Sequence, residues 1–557
     1  MARFLLTVAA ALGSAVIGSP VQSHGGDGNP VVDLGYALHR GALNSTGDFY
    51  AFRNIRFAEP PVGKRRFQPA EPVSSVNRTV DDGAAGHVCP QGSPEWKLRR
   101  DAAMAKTNVS TDTVRMALEN DPRQNEDCLF LDVMVPKKIY GKKWEKKSSA
   151  GQCHGPERGA PVLVWIYGGG YVFGRKDDAA YDPAGLIARS QQGGSEGIVY
   201  VALNYRLGMF GWLNTGGDKR VFPNAALTDQ RVGLEWIKKY IHLFGGDPDN
   251  VTVFGASAGG GSIMHHITGE GGKKKAPFKR AIVQSPGFQT VVDIPGIWKR
   301  ILASATKHAG SKIRNGAELA ALDSKTLLKI NQEVVANSPE GTYTFSPTVD
   351  GGYVPDQPGV LLLDGRFDSS PKLMLGHNSH EGLAYILPAD KSAAKVQAKL
   401  RTLLPGIPKR NMEYIWSELY PPPSDKGVYK TENERGVLLT SEVFFTCNTR
   451  YLGTAFGNAT WNYRFQVSPG THGQDVPYTF YPAKSGKIDA KLAKDMQLYF
   501  TNFAQFGDPN SGGSVPKWSK YGENAQLTTF GADGVGKDTD DTKNKRCAYW
   551  QTGKYRS

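Results

Sequence analysis

The chain has 557 residues, 39% of them hydrophobic and 22% charged, an ordinary globular composition able to bury a large core. After the N-terminal run no 18-residue apolar stretch is present to span a bilayer. The formal charge of +14 is dispersed over loops such as Lys137-Lys138, Lys142-Lys143, Lys146-Lys147 and Lys273–Lys275, without the interleaved aromatics of a nucleic-acid platform. It reads as a solvated surface, with weak attraction to anionic glycans as the alternative.

Arg3 is followed by the apolar run Phe4–Ile17 and small residues, the pattern of a secretory signal peptide over residues 1–23. Residues 24–557 then form one exported domain. Five asparagines in acceptor sequons, Asn44, Asn77, Asn108, Asn250 and Asn458, are candidate glycan sites in such a chain. Export also favours disulfides, and five cysteines allow two of them with one thiol left over. No His/Cys cluster has metal-ligand spacing, and no cofactor is expected.

A β-rich stretch, 31–57, comes first, followed by a polar segment, 84–124, expected as a surface excursion. Leu129–Val135, Val162–Tyr167, Ile198–Leu203, Val251–Phe254, Ala281–Val283 and Leu373–Leu375 are strand candidates. Between the third and fourth of these, apolar positions over Leu227–Phe244 recur at helical spacing until Gly245-Gly246 ends the run. Residues 288–365 lose the rhythm and read as a helical insertion over the site, its Tyr343 and Phe345 helping to shape an acyl pocket. Trp461–Val467 alternates like a strand, and a last helix covers about Ile488–Phe506 before Gly507-Asp508-Pro509. Strands alternating with helices predict an α/β fold, a mostly parallel sheet covered on both faces.

Directly after the strand at 251–254 stands Gly255-Ala256-Ser257-Ala258-Gly259, a Gly-x-Ser-x-Gly nucleophile elbow. A serine hydroxyl attacks only if a base takes its proton, and the base must be oriented by a third group. On such a sheet the partners follow in the order serine, carboxylate, histidine, each on a loop after a strand. That order selects His472, on the loop closing 461–467, and Glu381, on the loop after 373–375. Gly168-Gly169-Gly170, after the strand at 162–167, can offer bare N–H groups to an oxyanion together with the N–H of Ala258.

Several further stretches point one way: Phe57-Ala58-Glu59-Pro60-Pro61-Val62-Gly63 with Arg66-Phe67, Glu126-Asp127-Cys128-Leu129, and Val164-Trp165-Ile166-Tyr167-Gly168-Gly169-Gly170. Asn204-Tyr205-Arg206, Asp229-Gln230-Arg231, Phe244-Gly245-Gly246-Asp247-Pro248 and Gly507-Asp508-Pro509-Asn510 extend the series. From about residue 31 to 550 the chain resembles the type-B carboxylesterases, which include secreted fungal lipases, cholinesterases and the non-enzymatic neuroligins. The resemblance implies an α/β-hydrolase fold and a serine esterase acting on small-molecule or lipid esters through an acyl-enzyme. It implies Ser257 as nucleophile, Glu381 as acid, His472 as base, and Gly169, Gly170 and Ala258 as oxyanion donors. Disulfides Cys89–Cys128 and Cys447–Cys547 are implied too, leaving Cys153 unpaired, and Arg66–Glu126 and Arg206–Asp229 as structural ion pairs. The alternatives are a lipase for longer acylglycerols and a catalytically silent adhesion or binding member. The chain departs from the family at Ala256, where glutamate is usual, at Tyr171, where phenylalanine is usual, and at Leu118, where cholinesterases place the tryptophan that stacks on choline. Without that cation–π face, choline esters are not the expected substrates.

Overall fold

The computed structural model describes residues 23–24, 28–105, 120–142, 159–290, 292–482, 487–513 and 515–556. The N-terminal apolar run, Asn108, Leu118 and Cys153 lie outside the described residues.

The central sheet has eleven strands. In chain order they are β1 (Ala42–Asn44), β2 (Phe49–Arg56), β3 (Phe130–Pro136), β4 (Ala160–Ile166), β5 (Val199–Leu203), β6 (Gly246–Ala256), β7 (Arg280–Gln284), β8 (Lys372–Asn378), β9 (Trp461–Phe465), β10 (Gln526–Gly531) and β11 (Gly534–Thr539). In space the order is β1-β2-β3-β5-β4-β6-β7-β8-β9-β10-β11. From β5 across to β10 every neighbouring pair is parallel, while the β1–β3 edge and the final β10–β11 hairpin are antiparallel. All residues of β5 and β7 are buried, because helices cover both faces of the sheet; such strands read as continuous apolar runs.

The chain leaves β4 for β5 on one side and then crosses to β6 on the other. The loops after β4 and β6 therefore diverge and open a crevice at the carboxyl ends of the strands, where doubly wound sheets bind ligands. The helix Ala225–Tyr240 turns Leu227, Leu234, Trp236 and Ile237 inward, and after one 3₁₀ turn Gly245 closes it at φ 80°. The last long helix, Ala490–Phe506, likewise ends on Gly507 at φ 72°. A second sheet of four short strands, Ser23–His24, Pro30–Asp33, Ala37–Arg40 and Asn77–Asp81, lies in the N-terminal part.

Two excursions leave the sheet. Between β7 and β8 lie the helices Ile294–Ala309, Gly316–Ala320, Ser324–Ala336 and Pro358–Leu363. Between β8 and β9 a second group, chiefly Ala393–Leu403, Glu432–Ser441 and Cys447–Ala455, occupies a stretch to which the sequence assigned no structure. The segment 84–124 is not merely a surface excursion. Trp96, on the helix Glu95–Ala105, is buried; its indole N–H donates to the Thr342 carbonyl at 2.7 Å and its ring meets Tyr343 edge-on.

Cys89–Cys128 and Cys447–Cys547 are both bonded. The buried Arg66 guanidinium binds Glu126 at 2.7 Å and two carbonyls, those of Ala320 and Leu322, at 2.5 and 2.9 Å. Arg206 binds Asp229 at 2.6 Å with both side chains buried. Paired in this way, buried charges tie loops together; losing one partner leaves the other desolvated, at a cost of about 3–5 kcal/mol.

Candidate active site

β6 ends at Ala256, and the helix Ala258–Ile267 begins two residues later. Ser257, the residue between, sits at φ 57°, ψ −122°, a conformation that costs a side-chain-bearing residue of order 1–3 kcal/mol. Its surroundings hold it there. The Ser257 N–H donates to the Gln284 carbonyl at 3.0 Å, and its own carbonyl accepts from the N–H groups of Gly261 and Gly287 at 2.8 and 3.0 Å. A Cβ at Gly259 would lie 2.0 Å from the Ile166 carbonyl oxygen, so the helix can start this close to β4 only with glycine there.

The Ser257 hydroxyl donates to His472 Nε2 at 2.8 Å, and His472 Nδ1–H donates to Glu381 Oε2 at 2.5 Å. The structure thus brings together three side chains spread over more than two hundred positions of sequence. Glu381 follows β8 and His472 follows β9, adjacent parallel strands, and the His380 N–H donates to the Gly470 carbonyl at 2.8 Å, tying the two loops together. The His472 ring stacks on Phe445 with centroids 4.1 Å apart, which fixes the plane of the imidazole.

Glu381 is fully buried. Its second oxygen accepts from the Ser285 hydroxyl at 2.5 Å and from the Asn378 N–H at 2.6 Å. Burial pushes its carboxyl up, but the charge of His472 and the hydrogen bonds from His472, Ser285 and Asn378 outweigh it and hold the group below the usual glutamate range. A second buried carboxylate, Asp475, lies three residues after His472. It accepts from Tyr463 OH at 2.6 Å, Gln284 Nε2 at 3.0 Å and Asn378 Nδ2 at 3.2 Å. Burial, reinforced by the nearby Glu381 charge, raises Asp475 above the ordinary range. Ser285 and Asp475 escaped the sequence reading, since neither carries a motif. The only available signal was position, just after β7 and just after His472.

Gly169 and Gly170 follow β4 at φ 118° and 59°. A Cβ on Gly170 would fall 2.4 Å from the Tyr343 ring, so the bare backbone lets that ring close over the loop. The Ala258 N–H belongs to the first turn of its helix, where amide groups have no intrahelical acceptor. Gly170, Ser257, Ala258 and His472 border one narrow cavity of about 40 Å³. Tyr343 and Phe345 enter it from the first excursion, Tyr385, Phe444 and Phe445 from the second. The sequence named the first pair and missed the other three.

An imidazole bonded to a serine on one side and a buried carboxylate on the other can take the hydroxyl proton and hold the resulting charge. Amide groups beside the serine can receive an oxygen that becomes negative. A parallel sheet carrying this arrangement at its carboxyl edge defines an α/β-hydrolase.

Comparison with known proteins gives the particular branch. The carboxylesterase family model matches residues 29–550. The carboxylesterase patB of Aspergillus clavatus is 38% identical over 547 residues, covering 94% of this chain and 96% of that protein. A secreted lipase of Arthroderma benhamiae is 28% identical over 484 residues, covering 84% and 85%. Among solved structures, EstA of Aspergillus niger superposes with a TM-score of 0.74 at 24% identity, over 94% of this chain and 98% of that one. The chain belongs to the carboxylesterase family and is a carboxylic ester hydrolase.

Proposed function

We propose that this protein is a secreted serine esterase that works through an acyl-enzyme. Ser257 attacks the ester carbonyl carbon while His472 takes its proton, and Glu381 holds the imidazole and balances its charge. The N–H groups of Gly169, Gly170 and Ala258 receive the oxyanion. His472 then returns the proton to the departing alcohol, leaving an ester on Ser257. Water, deprotonated by His472, attacks that ester and releases the acid. No step calls for a metal or cofactor.

One observation carries the reading: the unbroken hydrogen-bond chain from Ser257 through His472 to Glu381, open to the cavity that Gly170 and Ala258 border. Its test is hydrolysis of a short-chain p-nitrophenyl ester by Ser257→Ala, expected to lose activity altogether; retained turnover sinks the assignment. The apolar run at Phe4–Ile17, the two disulfides and the likeness to a secreted lipase support export. Among the described residues no helix is long and apolar enough to cross a membrane. A lipase for longer acyl chains is the second reading, favoured by the aromatic walls of the cavity and by that same relative. A chain-length series of esters separates the two.

A further inference from the structure

Tyr171 comes directly after Gly170, which borders the cavity, and its hydroxyl reaches a place the proposed mechanism leaves unused. The residue is buried and sits at φ 66°, a left-handed conformation. Its carbonyl accepts from the Gly208 N–H at 2.9 Å, and its ring packs edge-on against Trp212 with centroids 4.7 Å apart. The hydroxyl then donates to the Gly287 carbonyl at 2.8 Å. Gly287 is bonded on its other side as well, its N–H donating to the carbonyl of Ser257 at 3.0 Å. One residue, Gly287, therefore connects the oxyanion loop, through the Tyr171 hydroxyl, to the backbone of the nucleophile.

Space is made for that hydroxyl by a glycine. A Cβ on Gly261 would fall 2.4 Å from the Tyr171 oxygen and 2.5 Å from the Gly287 oxygen. Gly261 lies on the helix after the elbow, and its N–H is the one bonded to the Ser257 carbonyl. A phenylalanine at 171 would free this space but leave the Gly287 carbonyl without that donor, in a buried region where a lost bond is felt.

We infer that Tyr171 is a positioning residue for the proposed serine mechanism, its hydroxyl holding the Gly169-Gly170 loop at a fixed distance from Ser257, and that Gly261 is the complementary residue that admits the hydroxyl. The inference rests on the oxyanion role proposed above. An amide donor pre-set toward the forming oxyanion acts mainly in the transition state, so loosening it lowers kcat and leaves KM nearly unchanged.

The experiment compares wild type, Tyr171→Phe, Gly261→Ala and the double variant on short-chain p-nitrophenyl esters, with active sites counted by an organophosphate titrant. For Tyr171→Phe we expect kcat per titrated site to fall about five- to tenfold, the worth of one buried neutral hydrogen bond, with KM within about twofold. For Gly261→Ala we expect fewer titratable sites, restored in part by adding Tyr171→Phe, because the Gly287 carbonyl still crowds the new Cβ. An unchanged kcat per site in Tyr171→Phe overturns the positioning role, because a purely structural contact alters the number of sites and not their turnover. A wild-type site count in Gly261→Ala, or a double variant no better than Gly261→Ala, overturns the complementarity. Ser257→Ala in the same assay tells the failures apart: if it still turns over, the serine mechanism itself has failed.

Discussion

The residues proposed to react and the walls around them are brought to one site by different routes. Ser257, Glu381 and His472 each follow a strand of the central sheet by a few residues, so the sheet's register places them. Tyr385, Phe444 and Phe445 come from an excursion that leaves β8, builds its own helices and returns before β9. The first group depends on short-range geometry that a strand and a turn dictate. The second depends on how a separate helical layer packs back onto the molecule. Chemistry should therefore be lost abruptly when the first group is changed, while selectivity should drift when the second is.

The strongest test of that division is the triad. Ser257→Ala or His472→Ala should cost roughly 10⁴-fold or more in kcat with little change in melting temperature, since residues acting as a unit fail together. Glu381→Gln should cost somewhat less, of order 10²- to 10⁴-fold, by favouring the wrong imidazole tautomer and weakening support for the imidazolium. Single-turnover kinetics with a p-nitrophenyl ester measures both. If a wall substitution proved as damaging to short esters as these, the division would not stand.

Phe445→Ala is that wall substitution. Phe445 stacks on His472, and a Cβ on Gly287 would lie 2.3 Å from its ring, so it fills the gap between the imidazole and the turn after β7. Removing it should lower kcat on an acetyl ester about tenfold through a freer imidazole, yet move the preferred acyl chain to longer lengths through the vacated volume. A chain-length profile with the same shape as wild type would place Phe445 outside the pocket wall.

The same contrast accounts for what the sequence revealed. The elbow, the triglycine loop and the order of serine, carboxylate and histidine were legible because each is a short string beside a β-branched run. The β7–β8 excursion was legible as a loss of rhythm, although nothing in it told where Tyr343 would point. Phe444 and Phe445 sit in a π-helical turn, Glu442–Thr446, between two α-helices, where no periodic signal marks them as facing a site. Ser285 and Asp475 became visible only once β7 and β9 lay beside β8, because their role is a contact with residues far away in sequence.

Beneath the elbow, the layer that supports the reacting groups predicts a pH effect. His265 and His266 lie on the helix after Ser257; burial lowers them to about 4 and about 3 from 6.5. His266 is held neutral between Tyr353 OH at 2.8 Å and Gln230 Oε1 at 2.9 Å. A folded-state value below the unfolded one means that the unfolded chain takes up protons first as pH falls. Stability is then full above about pH 6.5 and declines below it, until the folded values are reached, by about 3 kcal/mol for His265 alone. Melting temperature should fall between pH 7 and pH 4, and His266→Gln should flatten that slope even if it lowers the plateau. A slope identical to wild type would remove His266 as its source.

The smallest expected effect reverses the comparison, because a short motif is overruled by its place in the fold. Asn250 heads a sequon midway along the strand that leads to Ser257. Asn77 is exposed, whereas Asn250 is half-buried, its Oδ1 accepting from Arg280 Nη1 at 2.5 Å, and Thr252 two residues on is fully buried within β6. A glycan on Asn250 would have to displace Arg280, which also donates to the Ala504 carbonyl at 3.1 Å and so joins β7 to the end of the Ala490–Phe506 helix. We expect site-resolved mass spectrometry after enzymatic deglycosylation in heavy-oxygen water to mark Asn77 but leave Asn250 unlabelled. Labelling at Asn250 would mean that the Asn250–Arg280 contact is dispensable.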